Sequence, residues 1–128
     1  MAPLPFVPGR HAIEAYGDGG FRFAGMSHVG SILATPSGIS AIAAVSIADV
    51  GDEALAPLTA ELEAARGAVE LLVIGTGAGS ARLSEPLIGR LRASGLRFEA
   101  MATGPAARVY NVLVEEGRRV AALLIAVA

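Results

Sequence analysis

The sequence predicts an α/β domain in which a parallel or mixed sheet is covered by helices, and three observations carry the prediction. From Val69 to Ala128 apolar runs alternate with amphipathic ones: VELLVIG, LSEPLIGRLRA, LRFEAM, TGPAARVYNVLVE and RRVAALLIAV. Strand, helix, strand, helix, strand in that order joins neighbouring strands by crossovers, which makes a parallel or mixed sheet with helices on its faces. The first third reads differently, as short strands joined by tight turns, hence antiparallel β. Finally, the 53% hydrophobic content is mostly Ala, Val, Ile and Leu, with only 5% aromatic. That is the composition of buried strands flanked by Ala-rich helices.

Residues 1–10 read as an extended arm, because Pro3, Pro5 and Pro8 each remove a backbone donor. His11–Tyr16 and Phe21–Phe23 are short strands joined by the turn Gly17-Asp18-Gly19-Gly20. Val29–Ala34 is a longer strand, followed by Thr35-Pro36-Ser37-Gly38 and then Ile39–Val45. Proline second and glycine fourth suit a type I turn, so these two segments pair as a hairpin. Asp52 is placed to cap a helix reaching Arg66, with Leu55, Leu58, Leu62 and Ala65 at helical spacing and Gly67 as the stop. Pro57 suggests a helix start a few residues later than Asp52. Val69–Ile74 lacks alternation, as expected of a central strand buried on both faces. Ser84 caps a second helix ended by Gly95, and Leu96–Met101 is the next strand. Thr103 caps a third helix with the apolar stripe Ala106, Val109, Tyr110, Leu113 and Val114, ended by Gly117. Arg119–Val127 is the last strand. Residues 11–128 thus form a single domain.

Composition removes several classes of function. A net charge of −2 lacks the basic footprint of a nucleic-acid binder. With no cysteine there is no disulfide, thiol nucleophile or zinc–thiolate site. Lysine is absent, which excludes a Walker loop. The longest apolar run, Val120–Ala128, falls far short of the ~20 residues of a membrane helix. The N-terminal arm reads as neither a secretory signal nor a transit peptide, so a soluble, cytoplasmic protein is expected.

Two stretches hold the candidate binding residues. The loop Gly75-Thr76-Gly77-Ala78-Gly79-Ser80 leaves a strand end, where open α/β sheets bind ligands. A dinucleotide fingerprint needs G-x-G-x-x-G running straight into a helix; here the spacing is G-x-G-x-G and the helix waits until Ser84. Glu99, in the following strand, stands about where a ribose-binding acid is expected. The glycines are equally explained by a tight strand exit, and a small anionic or polar ligand is the third reading. The second stretch is Thr103 and its helix, on which Arg108, Asn111 and Glu115 share a polar face. Arg108 and Asn111 suit a carboxylate or phosphate clamp; a solvated face with Asn111 and Glu115 linked is the alternative. His11 and His28 lack ligand-spaced companions, so no metal is expected. The serines lack a nucleophile elbow and no histidine follows them in the second half, so no catalytic set emerges. Asp49, Asp52 and Glu53 are explained by the dipole of the helix they precede.

Several segments, taken in order, resemble one family of small domains. They are Gly20-Phe21-Arg22-Phe23, His28-Val29-Gly30-Ser31-Ile32-Leu33 with Pro36 and Gly38, and Leu71-Leu72-Val73-Ile74-Gly75-Thr76-Gly77. Glu99-Ala100-Met101-Ala102-Thr103, Ala107-Arg108-Val109-Tyr110-Asn111 and Glu116-Gly117-Arg118-Arg119-Val120-Ala121-Ala122 complete the set. The family includes the mitochondrial complex I (NADH dehydrogenase) alpha subcomplex assembly factor three and the adipogenesis-associated domain proteins, with many uncharacterised bacterial and archaeal members. The resemblance spans about residues 13–127. It implies a three-layer α/β fold: a mixed central sheet, helices packed on it and an additional N-terminal antiparallel β layer. It also implies work through protein contacts rather than catalysis, with no cofactor. Two departures stand out: relatives often carry a tryptophan where this chain has Ala41-Ile42-Ala43, and their Arg-Thr-Tyr-Asn reads Arg108-Val109-Tyr110-Asn111.

The resulting expectation is a non-enzymatic protein-interaction domain whose partner is a respiratory complex subunit or assembly protein. Its site residues would be Gly75, Thr76, Gly77, Gly79, Ser80, Glu99, Thr103, Arg108 and Asn111. The alternative is a binder, or an enzyme, that takes an anionic metabolite in the crevice beside the Gly75–Ser80 loop.

Overall fold

A computed structural model of the chain describes residues 6–128. Pro3 and Pro5 of the expected arm lie outside the described residues. Its described end, β1 (Phe6–Pro8), is already an edge strand. The main sheet adds β5 (Ser31–Thr35), β6 (Gly38–Ile42), β7 (Leu71–Gly75), β8 (Arg97–Met101) and β9 (Val120–Leu124), in the order β1-β6-β5-β9-β7-β8. β7 runs parallel to β8 and β9, whereas β9 and β5 are antiparallel, so the sheet is mixed. A second, antiparallel sheet holds β2 (Ala15–Gly17), β3 (Gly20–Phe23) and β4 (Met26–Val29). The helices are α1 (Asp52–Ala64), α2 (Glu85–Ala93) and α3 (Thr103–Glu115).

Side chains alternate between the two faces of a strand, so the apolar runs of β7 and β9 supply two cores at once. Leu72, Ile74 and Leu123 meet Leu55 and Leu58 of α1 and Leu87 and Leu91 of α2. Val73, Ala122 and Leu124 meet Ala106, Ala107 and Tyr110 of α3 together with Phe21 and Phe23 of the small sheet. The layers are therefore α1 with α2, the main sheet, and α3 with the small sheet.

Local chemistry sets the turns. Asp18 and Gly19, then Ala24 and Gly25, carry positive φ between paired strand ends, the geometry of two-residue type I′ hairpins. The Pro36-Ser37 turn closes the β5–β6 hairpin as the sequence predicts. Glu61 of α1 tightens it, accepting from the Ser37 N–H and the Thr35 hydroxyl, each at 2.9 Å.

Several sequence expectations need correction. The expected strand Val29–Ala34 is two strands: Gly30, at φ +100°, breaks it as the chain passes from the small sheet to the main one. Of the expected strand His11–Tyr16 only Ala15 and Tyr16 are in a strand, which runs on through Gly17. Asp52 is the first residue of α1 rather than its cap; Gly51 caps, and the Asp52 carboxylate pairs with Arg90 at 2.6 Å. Pro57 lies inside α1 and does not delay its start, at the cost of the hydrogen bond its nitrogen would donate to the Glu53 carbonyl. Ala102, not Thr103, occupies the N-cap of α3. Ser84 does cap α2, accepting from the Leu87 N–H.

Candidate functional site

Open α/β sheets bind ligands where the chains leaving two adjacent strands diverge to opposite faces. Here that place lies between the ends of β7 and β8, because β7 leads to α2 on one face and β8 to α3 on the other. The chain itself fills the crevice. Thr76 N–H donates to the Met101 carbonyl at 2.8 Å, Gly77 N–H to Thr103 Oγ1 at 3.0 Å, and Thr103 N–H to the Gly77 carbonyl at 2.8 Å. Thr103, fully buried, donates its hydroxyl to the Ile125 carbonyl at 2.8 Å and so ties the loop, α3 and the chain after β9 together. This is why Thr103 is not a cap: its oxygen is engaged across the crevice.

The glycine spacing has a packing origin. A Cβ on Gly75 would stand 2.9 Å from Thr103 Cα and from Leu124 Cδ2, so α3 approaches the strand end only over a bare backbone. Gly77 takes φ +118°. Thr76 Oγ1 lies 2.9 Å from the Gly79 carbonyl and accepts from the Ala81 N–H at 3.0 Å, folding the loop onto itself. Only its tip, Ala78, Gly79 and Ser80, is exposed. Glu99 is exposed, but it pairs in register with Val73, two residues (about 7 Å) short of the loop. The dinucleotide reading thus lacks both an open crevice and a placed acid.

Arg108 and Asn111 belong to a different place. Asn111 Oδ1 accepts from the Ile13 N–H at 2.7 Å and its Nδ2 donates to the Ile13 carbonyl at 2.9 Å. That double clip takes the place of the expected link to Glu115 and moors the chain leading into β2. Between this chain and α3 opens a cleft of about 370 Å³, with Glu14, Ala15 and Tyr16 on one wall and Gly104, Ala107 and Arg108 on the other. Gly104 makes the cleft possible, since a Cβ there would fall on the Tyr16 hydroxyl. Glu14 is engaged by Arg22 at 3.3 Å. Arg108 is exposed and forms no ion pair among the described residues. On its other side Val109, Val112 and Leu113 line a shallow apolar depression of about 240 Å³, where Val112 is 54% exposed.

The predicted residues therefore separate. Gly75, Thr76, Gly77 and Thr103 form a structural knot, Gly79 and Ser80 its exposed tip, Arg108 and Asn111 a cleft, and Glu99 joins none of these. Tyr16 and Gly104 were not among the sequence candidates, because nothing local marks an aromatic in a three-residue strand as facing a helix start far along the chain.

Electrostatics add two perturbed groups, both away from the cleft mouth. Burial pushes the Tyr110 hydroxyl up to about 12. Glu70 is held below the ordinary carboxylate value, chiefly by the Arg119 N–H and then by the Arg118 side chain. Among the described residues no group of three His, Asp or Glu side chains is placed to hold a metal ion.

Comparison with known proteins supplies the lineage. A family model matches residues 13–125, from the residue Asn111 clips to the one whose carbonyl Thr103 binds. The chain belongs to the DUF498/DUF598 family of proteins of unknown function. It is 43% identical to an uncharacterised protein of Rhodobacter capsulatus over 98% of this chain and 93% of that one. Among solved structures it is similar to a protein described as an outer membrane protein of Bartonella henselae, with 44% identity, a TM-score of 0.85, and 94% and 98% of the two chains covered. It is also similar to a Bordetella pertussis protein described as a Mth938-like domain, at 28% identity, a TM-score of 0.74, and 91% and 85% coverage. Among the described residues no helix of this DUF498 chain is long and apolar enough to cross a membrane.

Proposed function

We propose that this DUF498 member is a non-enzymatic protein-interaction domain that grips its partner along the outer face of α3. The observation that carries the reading is the position of Arg108. It stands exposed and, among the described residues, without an ion pair, between the cleft walled by Glu14, Tyr16 and Asn111 and an apolar depression. A guanidinium in that setting suits a partner carboxylate, and the neighbouring valines suit an apolar anchor beside it. The partner is then a segment carrying an acidic side chain close to an aliphatic or aromatic one. The resemblance described above points to a respiratory complex subunit or assembly protein as its source. The filled crevice at Gly75–Ser80 takes part as a rigid support and not as a contact.

Affinity capture from the native cells with tagged wild type, Arg108→Glu and Val112→Asp tests this. Both substitutions lie on an exposed helix face and are expected to leave the fold intact while losing the same captured proteins. Retention of an unchanged set by both variants refutes the proposal.

The cleft also favours a second reading, an anionic metabolite held by Arg108. That reading expects ligand-dependent stabilisation of about 2.7 kcal/mol at a hundred times the dissociation constant. A panel of carboxylates and phosphates without a thermal shift at millimolar concentration dismisses it.

A further inference from the structure

We infer that β8, at the edge of the main sheet, is the contact through which two copies of this chain pair, antiparallel and edge to edge, about a two-fold axis at Phe98. This contact is separate from the α3 surface. The sheet ends on β8, which pairs with β7 on one side only. In a parallel pair the residues of a strand turn their N–H and carbonyl groups alternately toward the partner strand and away from it. The Met101 carbonyl accepts from the Thr76 N–H just past β7, so Arg97, Glu99 and Met101 turn toward β7. Phe98 and Ala100 therefore turn their backbone groups outward, where no strand lies among the described residues. Such a row of donors and acceptors is a template for another strand. β8 offers five residues without a proline, whereas the edge strand β1 is three residues long and ends on Pro8, which discourages pairing there.

Charge selects both the partner and the register. Arg97 and Glu99 share one face of β8, both exposed and without an ion pair among the described residues. An axis at Phe98 puts Arg97 directly opposite Glu99 of the partner subunit, and the symmetry makes that pair twice. Because Phe98 turns outward, the Phe98 pair is the hydrogen-bonded one. The two Arg–Glu pairs are then non-hydrogen-bonded, the kind in which side chains stand closer. An axis at Arg97 or at Glu99 instead brings like charges face to face. One at Ala100 carries Arg97 past the strand, opposite Thr103 of the partner subunit. Two like charges on an edge oppose any copy of it; a base and an acid two residues apart leave this register favourable. On the other face Phe98 is half-buried against the α1–α2 core, and the facing ring covers part of what remains exposed. Five residues a side make a small contact, so the dimer is reversible and populated at roughly 0.1–1 mM chain.

The test is sedimentation equilibrium of the full chain at low salt up to about 1 mM, with amide shifts followed by nuclear magnetic resonance over the same range. Wild type should show a monomer–dimer equilibrium, with concentration-dependent shifts centred on the Phe98 and Ala100 amides. Arg97→Glu alone and Glu99→Arg alone should each weaken association about tenfold, since each turns two attractive pairs into two repulsive ones. Mixing the two single variants brings opposite charges face to face again, and so does placing both substitutions in one chain. Both arrangements should regain the wild-type affinity, which separates lost pairing from lost folding. The inference is overturned if wild type stays monomeric to about 1 mM, which would leave the edge to a strand of another protein. It is equally overturned if a dimer forms without shifts at Phe98 and Ala100, if the single variants associate like wild type, or if the doubly substituted chain is as weak as they are.

Discussion

Replacing Thr103 by valine tests the knot that closes the β7–β8 crevice. The side chain is fully buried, and its hydroxyl both accepts from Gly77 N–H at 3.0 Å and donates to the Ile125 carbonyl at 2.8 Å. Valine keeps the shape and removes the oxygen, leaving a buried N–H and a buried carbonyl without partners. Each orphan costs about 1–3 kcal/mol, and the extra buried methyl returns less than about 1 kcal/mol, so the net loss is about 3 kcal/mol. Against a domain stability of about 5–15 kcal/mol that is a large fraction, readable as a lower urea midpoint at unchanged slope. Thr103→Ser retains both bonds and loses one methyl, at about 1 kcal/mol. Native-state hydrogen exchange at the Gly77 amide should rise in the valine variant and stay near wild type in the serine one. A valine variant within about 0.5 kcal/mol of wild type, or a serine variant as unstable as the valine one, would refute the assignment of Thr103 as the tie.

The other predictions probe neighbouring parts. Gly75→Ala forces a Cβ to 2.9 Å from Thr103 Cα and Leu124 Cδ2 and should destabilise by about 1–3 kcal/mol in the same urea assay; a wild-type midpoint contradicts the close approach. Asn111→Ala releases both backbone groups of Ile13, and exchange of the Ile13 amide should accelerate with a loss of about 1–3 kcal/mol. An unprotected Ile13 amide in wild type would show that the clip is not made in solution. Tyr110 has its folded value raised from 10.0 to about 12, so the folded state holds the proton more tightly. Stability is therefore full below pH 10 and falls as pH rises toward 12, by roughly 3 kcal/mol. Tyr110→Phe should be flat across that window relative to wild type, and parallel pH profiles would remove Tyr110 as the cause.

Much of the fold was legible locally. The runs Val69–Ile74 and Arg119–Val127 betrayed buried strands because a strand covered on both faces has no polar position to spare. Ser84 and Gly95 bounded α2 through backbone chemistry confined to a few residues. β4 escaped notice because Met26–Val29 shows no alternation that separates it from Ser31–Thr35, and only the positive φ of Gly30 divides them. Thr103 sits where a cap belongs, and only the Gly77 and Ile125 backbones, distant in sequence, reveal a different use.

By itself, the sequence determined the class of the fold, the order of its crossovers and the absence of a thiol and of lysine. Those follow from composition and from periodicities that each element carries alone. Tertiary structure decided which candidates meet: the glycine loop is sealed by Thr103, Asn111 is spent on Ile13, and Arg108 lines the same cleft as Tyr16, without an ion pair among the described residues. A side chain's hydrogen-bond partners lie up to 108 residues away in this chain, and no local pattern encodes a contact at that distance. His28 makes the same point, since its inward direction depends on pairing with β3.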